Sequence, residues 1–457
     1  MLQINVALPN GHAELLTLLP SSTVQDLKTA AQRAFGKKHL RLFTAKNQVL
    51  VDFEQTLEEA EIEDRECLAA LILQPQLAAT HGAFALWCHG DNAIVTWGDA
   101  GCEGDSSAVR DQLKGVQQIQ ATSQAFAAIL RDGSVVTWGD ALRGGDSSAV
   151  QDQLRSVQQI QATLMAFAAI LGDGSVVTWG DAGCGGDSSA VRDQLKGVQQ
   201  IQATSQAFAA ILRDGSVVTW GDALRGGDSS AVQDQLRSVQ QIQATLMAFA
   251  AILGDGSVVT WGHAGYGGNS LAVRDQLKGV QQIQATFHAF AAILGDGSVV
   301  TWGNDFAGGN NLAVRDQLKG VQQIQATSHA FAAILGDGSV VTWGHAGLGG
   351  NSSAVRDQLK GVQQIQATGQ AFAAILRDGS VVTWGNDFAG GNNLAVRDQL
   401  KGVQQIQATS QAFAAILGDG SVVTWGHASV GRNSSAAVRD QLKGVQQIQA
   451  TSQAFAA

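Results

Sequence analysis

The chain has 457 residues, 45% of them hydrophobic and only 15% charged, and 39 acidic side chains against 29 basic ones leave a net charge of −10. That composition supplies sizeable cores, is too apolar for a disordered chain, and lacks the positive field that draws a protein to phosphate backbones. No run approaches the roughly 18 apolar residues of a spanning helix, the start MLQINVALPNG carries no basic-then-apolar leader, and Cys67, Cys88, Cys102 and Cys184 are too sparse for a disulfide framework and lack a CxxC pair; neither membrane nor nucleic acid is expected as a partner, and a reducing cytoplasmic or nuclear compartment fits.

Residues 1–76 contain all three prolines, Pro9, Pro20 and Pro75, and share no pattern with residues 77–457. Leu2, Ile4 and Val6 alternate as a strand, Asn10-Gly11 makes a tight turn, and Leu16 with Leu18 begins a returning strand. Thr23, with Asp26 three residues on, is a capping-box variant that opens a helix. Val24, Leu27, Ala31 and Ala34 share its face, and Gly36 ends it. Short strands come next. The succession PSSTVQDLKTAAQRAFG, LRLFTAKNQVL and QTLEEAEIEDRECLAALIL resembles ubiquitin-like domains along their whole length, which implies an α+β β-grasp fold for residues 1–76. Receptors of that family read an apolar sheet patch, and the matching positions are Phe43 and Leu71, with Leu8 or Pro9 on the nearby turn. The bland alternative is that Phe43 and Leu71 are packed or are isolated surface apolarity. Ubiquitin's free Gly-Gly end is matched here by Leu73-Gln74-Pro75-Gln76 running into the next segment, so conjugation is not expected without a cut.

From residue 77 onward one motif recurs. Trp-Gly stands at Trp97, Trp138, Trp179, Trp220, Trp261, Trp302, Trp343, Trp384 and Trp425, nine copies 41 residues apart. Residues 98–179 differ from 180–261 only where Glu103 becomes Gly185, so a longer period of two units is superimposed. Such a unit cannot bury its own faces, and neighbours must stack. Within 116–139, VQQIQAT, AFAAIL, Arg131-Asp132-Gly133 and SVVTWG read as strand, strand, turn, strand. AFAAIL is apolar on both faces and predicts a strand covered on both sides. In 105–115, Asp105 or Ser106 can cap, Val109 and Leu113 are four apart, and Lys114-Gly115 makes a stop, which predicts one or two helical turns.

The A-A-type strand, the apolar strand, Asp-Gly and VVTWG together closely resemble the regulator of chromosome condensation repeat, in its compact form with three strands per blade. The resemblance covers 77–457 and implies an all-β propeller of nine 41-residue repeats, each with three strands and a short helical turn; an open β-solenoid is the alternative. Departures from the family pattern are a histidine kept only at His288 and His329, where other units have Gln124, Met165, Gln206, Met247, Gln370 and Gln411, and a reduced glycine loop. The final 445–457 lacks an SVVTWG partner and the first hairpin, 83–98, comes after a degenerate 76–80, so the two ends could complement one blade.

Positions that vary in an otherwise fixed unit belong on one rim, as a binding surface or as drift in solvated loops. The second residue after each Trp is Asp99, Asp140, Asp181, Asp222, His263, Asn304, His345, Asn386 and His427, and rim aromatics are Tyr266, Phe306 and Phe388. Asp105, Asp146, Asp187 and Asp228 give way to Asn269, Asn310, Asn351, Asn392 and Asn433, so the early units are the more acidic and would steer a basic face. His263, His345 and His427 recur two units apart and offer no shared-loop metal geometry, Asp132 and Asp173 are explained by turn chemistry, and no unique Ser-His-Asp set stands out. The expectation is therefore a protein without enzymatic activity, cofactor or metal. It resembles the substrate-binding part of large HECT-type ubiquitin ligases, and without their catalytic domain it is expected to act as an adaptor: the ubiquitin-like patch (Leu8, Phe43, Leu71) for ubiquitin receptors or the proteasome, the repeat rim (Asp99, Asp140, Asp181, Asp222, His263, Tyr266, Phe306, His345, Phe388, His427) for a protein client. Alternatives are nucleotide exchange on a small GTPase, a propeller-type enzyme inhibitor, and an expanded array with little selected function.

Overall fold

A computed structural model describes residues 1–36, 40–46, 48–50, 52–72, 75–88, 94–98, 104–430, 444–445, 447–450 and 455–456. The chain forms two compact units, one comprising Met1–Gln76, Leu86–Val95 and Asp111–Gln118, the other Leu77–Ala85, Thr96–Arg110 and Ile119–Ala457.

In the first unit, β1 (Leu2–Ala7), β2 (Ala13–Leu18), β3 (Leu40–Phe43) and β4 (Cys67–Ile72) form one sheet in the order β2-β1-β4-β3, with β1 parallel to β4 and the other pairs antiparallel. The helix α1 (Val24–Phe35) starts at Thr23, whose hydroxyl accepts from the Asp26 amide at 3.1 Å while the Asp26 carboxylate accepts from the Thr23 amide at 2.9 Å. Gly36 ends it at φ 62°, a left-handed geometry that a residue with a Cβ adopts only at a cost. Val24, Leu27 and Ala31 of the helix join Ile4, Val6, Leu40, Leu42, Leu57, Leu68 and Ala70 in one core.

In the second unit, from Val157 to Gly426, seven consecutive three-stranded antiparallel sheets succeed one another, each with the strands in chain order. The sheet Val157–Ala162, Ala166–Leu171, Val176–Gly180 is representative. The strands Pro75–Ala79, Ala83–Cys88 and Ile94–Gly98, then Val116–Ala121, Ala125–Leu130 and Val135–Gly139, give the same succession upstream. The degenerate 76–80 thus lies largely in a strand of its own, and does not need the far end of the chain to supply one; Gln449–Ala450 pairs with Phe455–Ala456. Among the described residues, the helical turn expected in 105–115 and its equivalents is a short 3₁₀ turn, as at Ser148–Gln153.

Alternation along AFAAIL explains why both faces are apolar. Ala166, Ala168 and Ile170 point forward, where Val198, Ile201, Phe208, Ala210 and Trp220 of the next sheet cover them. Phe167 points back, opposite Trp179 in register, and the two rings stack 5.1 Å apart. Hydrogen bonds lock the same interface at three points. The Trp220 indole donates to the Gly185 carbonyl at 3.0 Å, the Val198 amide to the Gly174 carbonyl of the preceding Asp-Gly turn at 2.8 Å, and the Leu164 amide to the Ser205 carbonyl at 3.0 Å. Gly185, at φ 95°, must be glycine: a Cβ there would lie 2.6 Å from the Phe208 ring.

Candidate functional site

On the first unit's sheet, Phe43 stands opposite Ala69 and Arg41 opposite Leu71. Phe43, Ala69 and Leu71 therefore share the face away from α1, while Leu40, Leu42, Leu68 and Ala70 face the core. Leu71 is exposed and Phe43 half-buried. Leu8 does not join them. It continues the inward alternation of Ile4 and Val6, is only 7% exposed, and belongs to the core.

On the repeats, the residue two after Trp caps a second, shorter 3₁₀ turn that the sequence pattern does not reveal. The Asp140, Asp181 and Asp222 carboxylates accept from the amides of Arg143, Cys184 and Arg225 at 3.1, 3.0 and 3.1 Å. Asp140 and Asp222 also pair with the guanidinium groups of Arg143 and Arg225. His263 caps with Nδ1 to the Gly265 amide at 3.2 Å, Asn304 and Asn386 cap with their amide oxygens, His345 makes no capping bond, and His427 bonds Ser429 at 2.7 Å. Asp99 lies outside the described residues. These positions are thus held for local structure, and what they present to solvent is the residue two further on. Leu142, Leu224, Phe306 and Phe388 are 75–80% exposed and 82 residues apart, with Gly183, Gly265 and Gly347 at the equivalent places between them. Leu271, Leu312 and Leu394 add exposed apolar side chains six residues after Gly265, Phe306 and Phe388. In sequence an exposed leucine carries no signal that sets it apart from a core one, so only the aromatics of this row stand out there.

The acidic-to-neutral gradient leaves one loop hydrogen bond unchanged at the described positions, Asn433 lying outside them. Asp146, Asp187 and Asp228 accept from the amide two residues on at 2.8–2.9 Å, and Asn269, Asn310, Asn351 and Asn392 do so at 3.0 Å. The same bonds hold the three carboxyls below their usual range. At this bond only the charge differs between early and late units.

One place breaks the periodicity. Tyr266, half-buried, packs edge-on to His263 at 5.0 Å and against His288 at 4.5 Å. His288 lies 4.8 Å from His329, His329 lies 6.5 Å from His345, and Phe287 is 6.2 Å from His329. The His288 Nδ1 is buried without a hydrogen-bond partner, whereas the His329 Nδ1 meets the Ser328 hydroxyl at 2.9 Å. Burial, then the neighbouring imidazole, holds His288 and His329 below the ordinary histidine value. Among the described residues no group of three or more His, Cys, Asp or Glu is arranged to hold a metal ion, and no helix is long and apolar enough to cross a membrane.

No protein-family model matches the chain, and no curated protein matches it either. Solved structures align with it at low identity. Prp20p from Saccharomyces cerevisiae is 18% identical over 52% of this chain and 73% of its own, at a TM-score of 0.33. Yeast RCC1 (Prp20) bound to Kap60 is 19% identical over 57% and 80%, at 0.34. Human WBSCR16 is 16% identical over 53% and 80%, at 0.35. At such scores the architecture rests on the sheets themselves.

Proposed function

We propose that this chain is a non-catalytic protein-interaction adaptor. Its repeats, read as blades of the regulator of chromosome condensation type, hold a protein client. Its N-terminal unit, read as a ubiquitin-like module, engages receptors of the ubiquitin system or the proteasome through Phe43 and Leu71. The observation that carries the reading is the row Leu142, Leu224, Phe306 and Phe388, exposed on turns that cap bonds and sheet packing hold in place. Large apolar side chains presented this way on rigid supports make anchors for a protein surface, and nothing in the fold requires them, since glycine serves at the alternate positions. Asp305 and Asp387 stand directly before the two phenylalanines, which favours a client with basic residues beside its apolar contacts.

Capture from a cell lysate by the full chain and by a Phe43→Ala, Leu71→Ala variant tests the first half of the reading. Proteasomal or ubiquitin-receptor proteins are expected with the full chain and not with the variant. Their absence from both would remove the ubiquitin-system role and leave the repeats as the only binding part.

A further inference from the structure

At the hairpin between the first and second strands of each repeat, a second pattern appears. The amide of Ser123 donates to the carbonyl of Leu164, Leu164 to Ser205, Ser205 to Leu246 and Leu246 to Phe287, at 2.9–3.0 Å, and His81 starts the series by donating to Ser123. These six turns, with the Ala-Thr pair before each, line one cavity of about 570 Å³, within the range of small-molecule sites.

The polar groups of its wall are already engaged. The Thr163, Thr204, Thr245 and Thr286 hydroxyls each accept from an alanine amide and donate to a carbonyl of the following loop. The Ser123 and Ser205 hydroxyls donate to the Leu164 and Leu246 carbonyls at 2.7 Å. The backbone amides are spent on the series itself. His81 is the one ionisable residue of the lining. The lining is mostly apolar: alanine and threonine with the side chains of Leu164, Leu246 and Phe287, of which Leu164 and Phe287 are exposed, beside His81, Ser123 and Ser205. The turn does not need that apolarity, because serine makes it at Ser123, Ser205, Ser328 and Ser410.

We propose that this cavity is a binding site for a small, uncharged apolar molecule. Apart from the imidazole of His81 in the first turn of the series, the hydroxyls and amides described are already engaged, so a charged or strongly polar ligand would lose water there with little to replace it, whereas an uncharged ring or hydrocarbon gains by covering Leu164, Leu246 and Phe287. This site is separate from the loop row and does not depend on the adaptor reading.

The probe is N-phenyl-1-naphthylamine, uncharged and fluorescent on leaving water, titrated into the full chain. Saturable binding is expected, and a Leu164→Ser, Leu246→Ser, Phe287→Ser variant, built from the residue that other repeats carry, is expected to bind about tenfold or more weakly. A Leu142→Gly, Leu224→Gly, Phe306→Gly, Phe388→Gly variant is expected to bind like the parent. The sulfonated analogue 1-anilinonaphthalene-8-sulfonate is expected to bind the parent about tenfold more weakly than the neutral probe. Should the triple variant not fold, Leu164→Ser alone, with a smaller loss in the same direction, replaces it. No saturable binding by the parent, equal binding by the serine variants, loss in the glycine variant, or preference for the sulfonate would each overturn the proposal.

Discussion

In the N-terminal unit one helix, α1, covers one side of a four-stranded sheet, and the other side, with Ala69 and Leu71, is open to solvent. In the repeats, the middle strand of each sheet from Val157 onward is buried on both faces, and turns, loops and glutamines of the first strand such as Gln158 reach water. A partner of the first unit has a sheet face to read; a partner of the repeats has a series of loops in fixed register. Damage should also travel differently. A core residue of the first unit belongs to a single cluster, whereas a core residue of a repeat belongs to an interface copied along the array, and stability there is a sum of nearest-neighbour contacts.

Phe208→Ala, which empties the centre of one inter-sheet cluster, should cost about 3–5 kcal/mol of repeat stability. The loss should appear in denaturant unfolding followed by tryptophan fluorescence, since residues 1–76 contain no tryptophan; a cost below about 1 kcal/mol would mean the interfaces are not the unit of stability. Burial of the Cys184 side chain, with Asp181 beside it, pushes its thiol up to about 11, so at neutral pH its thiolate is about a hundredfold scarcer than that of an ordinary cysteine. Exposed Cys67 should therefore react with iodoacetamide well before Cys184, and mass mapping showing equal rates would contradict the packing of that loop.

Ser156 and Ser238 adopt φ 56° where Gly197, Gly279 and Gly320 stand in other repeats. Ser156→Gly and Ser238→Gly should each stabilise the array by about 0.5–1 kcal/mol, relief of left-handed strain outweighing glycine's entropy. A lower denaturation midpoint in either variant would count against it. The smallest effect concerns acid. His288 and His329 sit below the ordinary 6.5 in the folded chain, so the unfolded chain binds more protons, and their contribution is complete above that value and lost as pH falls below it. The imidazole of His345 and the phenol of Tyr266 are the titratable groups beside them in the ring cluster. Replacing His288 and His329 with glutamine, the residue at Gln124 and Gln206, should flatten the drop in melting temperature between about pH 7 and pH 5.5; an unchanged drop would place the acid response elsewhere.

Much of this organisation is legible in the sequence because local chemistry decides it. Thr23, Asp26 and Gly36 bound α1 by caps alone, and the alternation in AFAAIL with Asp-Gly and Trp-Gly marks two-faced sheets. What stays hidden depends on register between distant segments. Leu8 reads as a turn residue, but the pairing of β1 carries it into the core. Pro75–Ala79 has a poor strand sequence and is one nonetheless. The Asp140 position reads as variable rim, while its real constraint is a capping bond that Asp, Asn and His263 can each make. The contact of Tyr266 with His288 and of His288 with His329 requires knowing that equivalent turns of successive repeats are joined by backbone hydrogen bonds.

If the exposed loop row holds a protein client, removing its side chains should release that client. Quantitative mass spectrometry of proteins captured by the full chain, by the Leu142→Gly, Leu224→Gly, Phe306→Gly, Phe388→Gly variant and by Phe43→Ala, Leu71→Ala tests it most directly. The account predicts a set of captured proteins that falls about tenfold or more with the glycine variant and is unchanged by the sheet-face variant. The same set captured in equal amount by the glycine variant would contradict it.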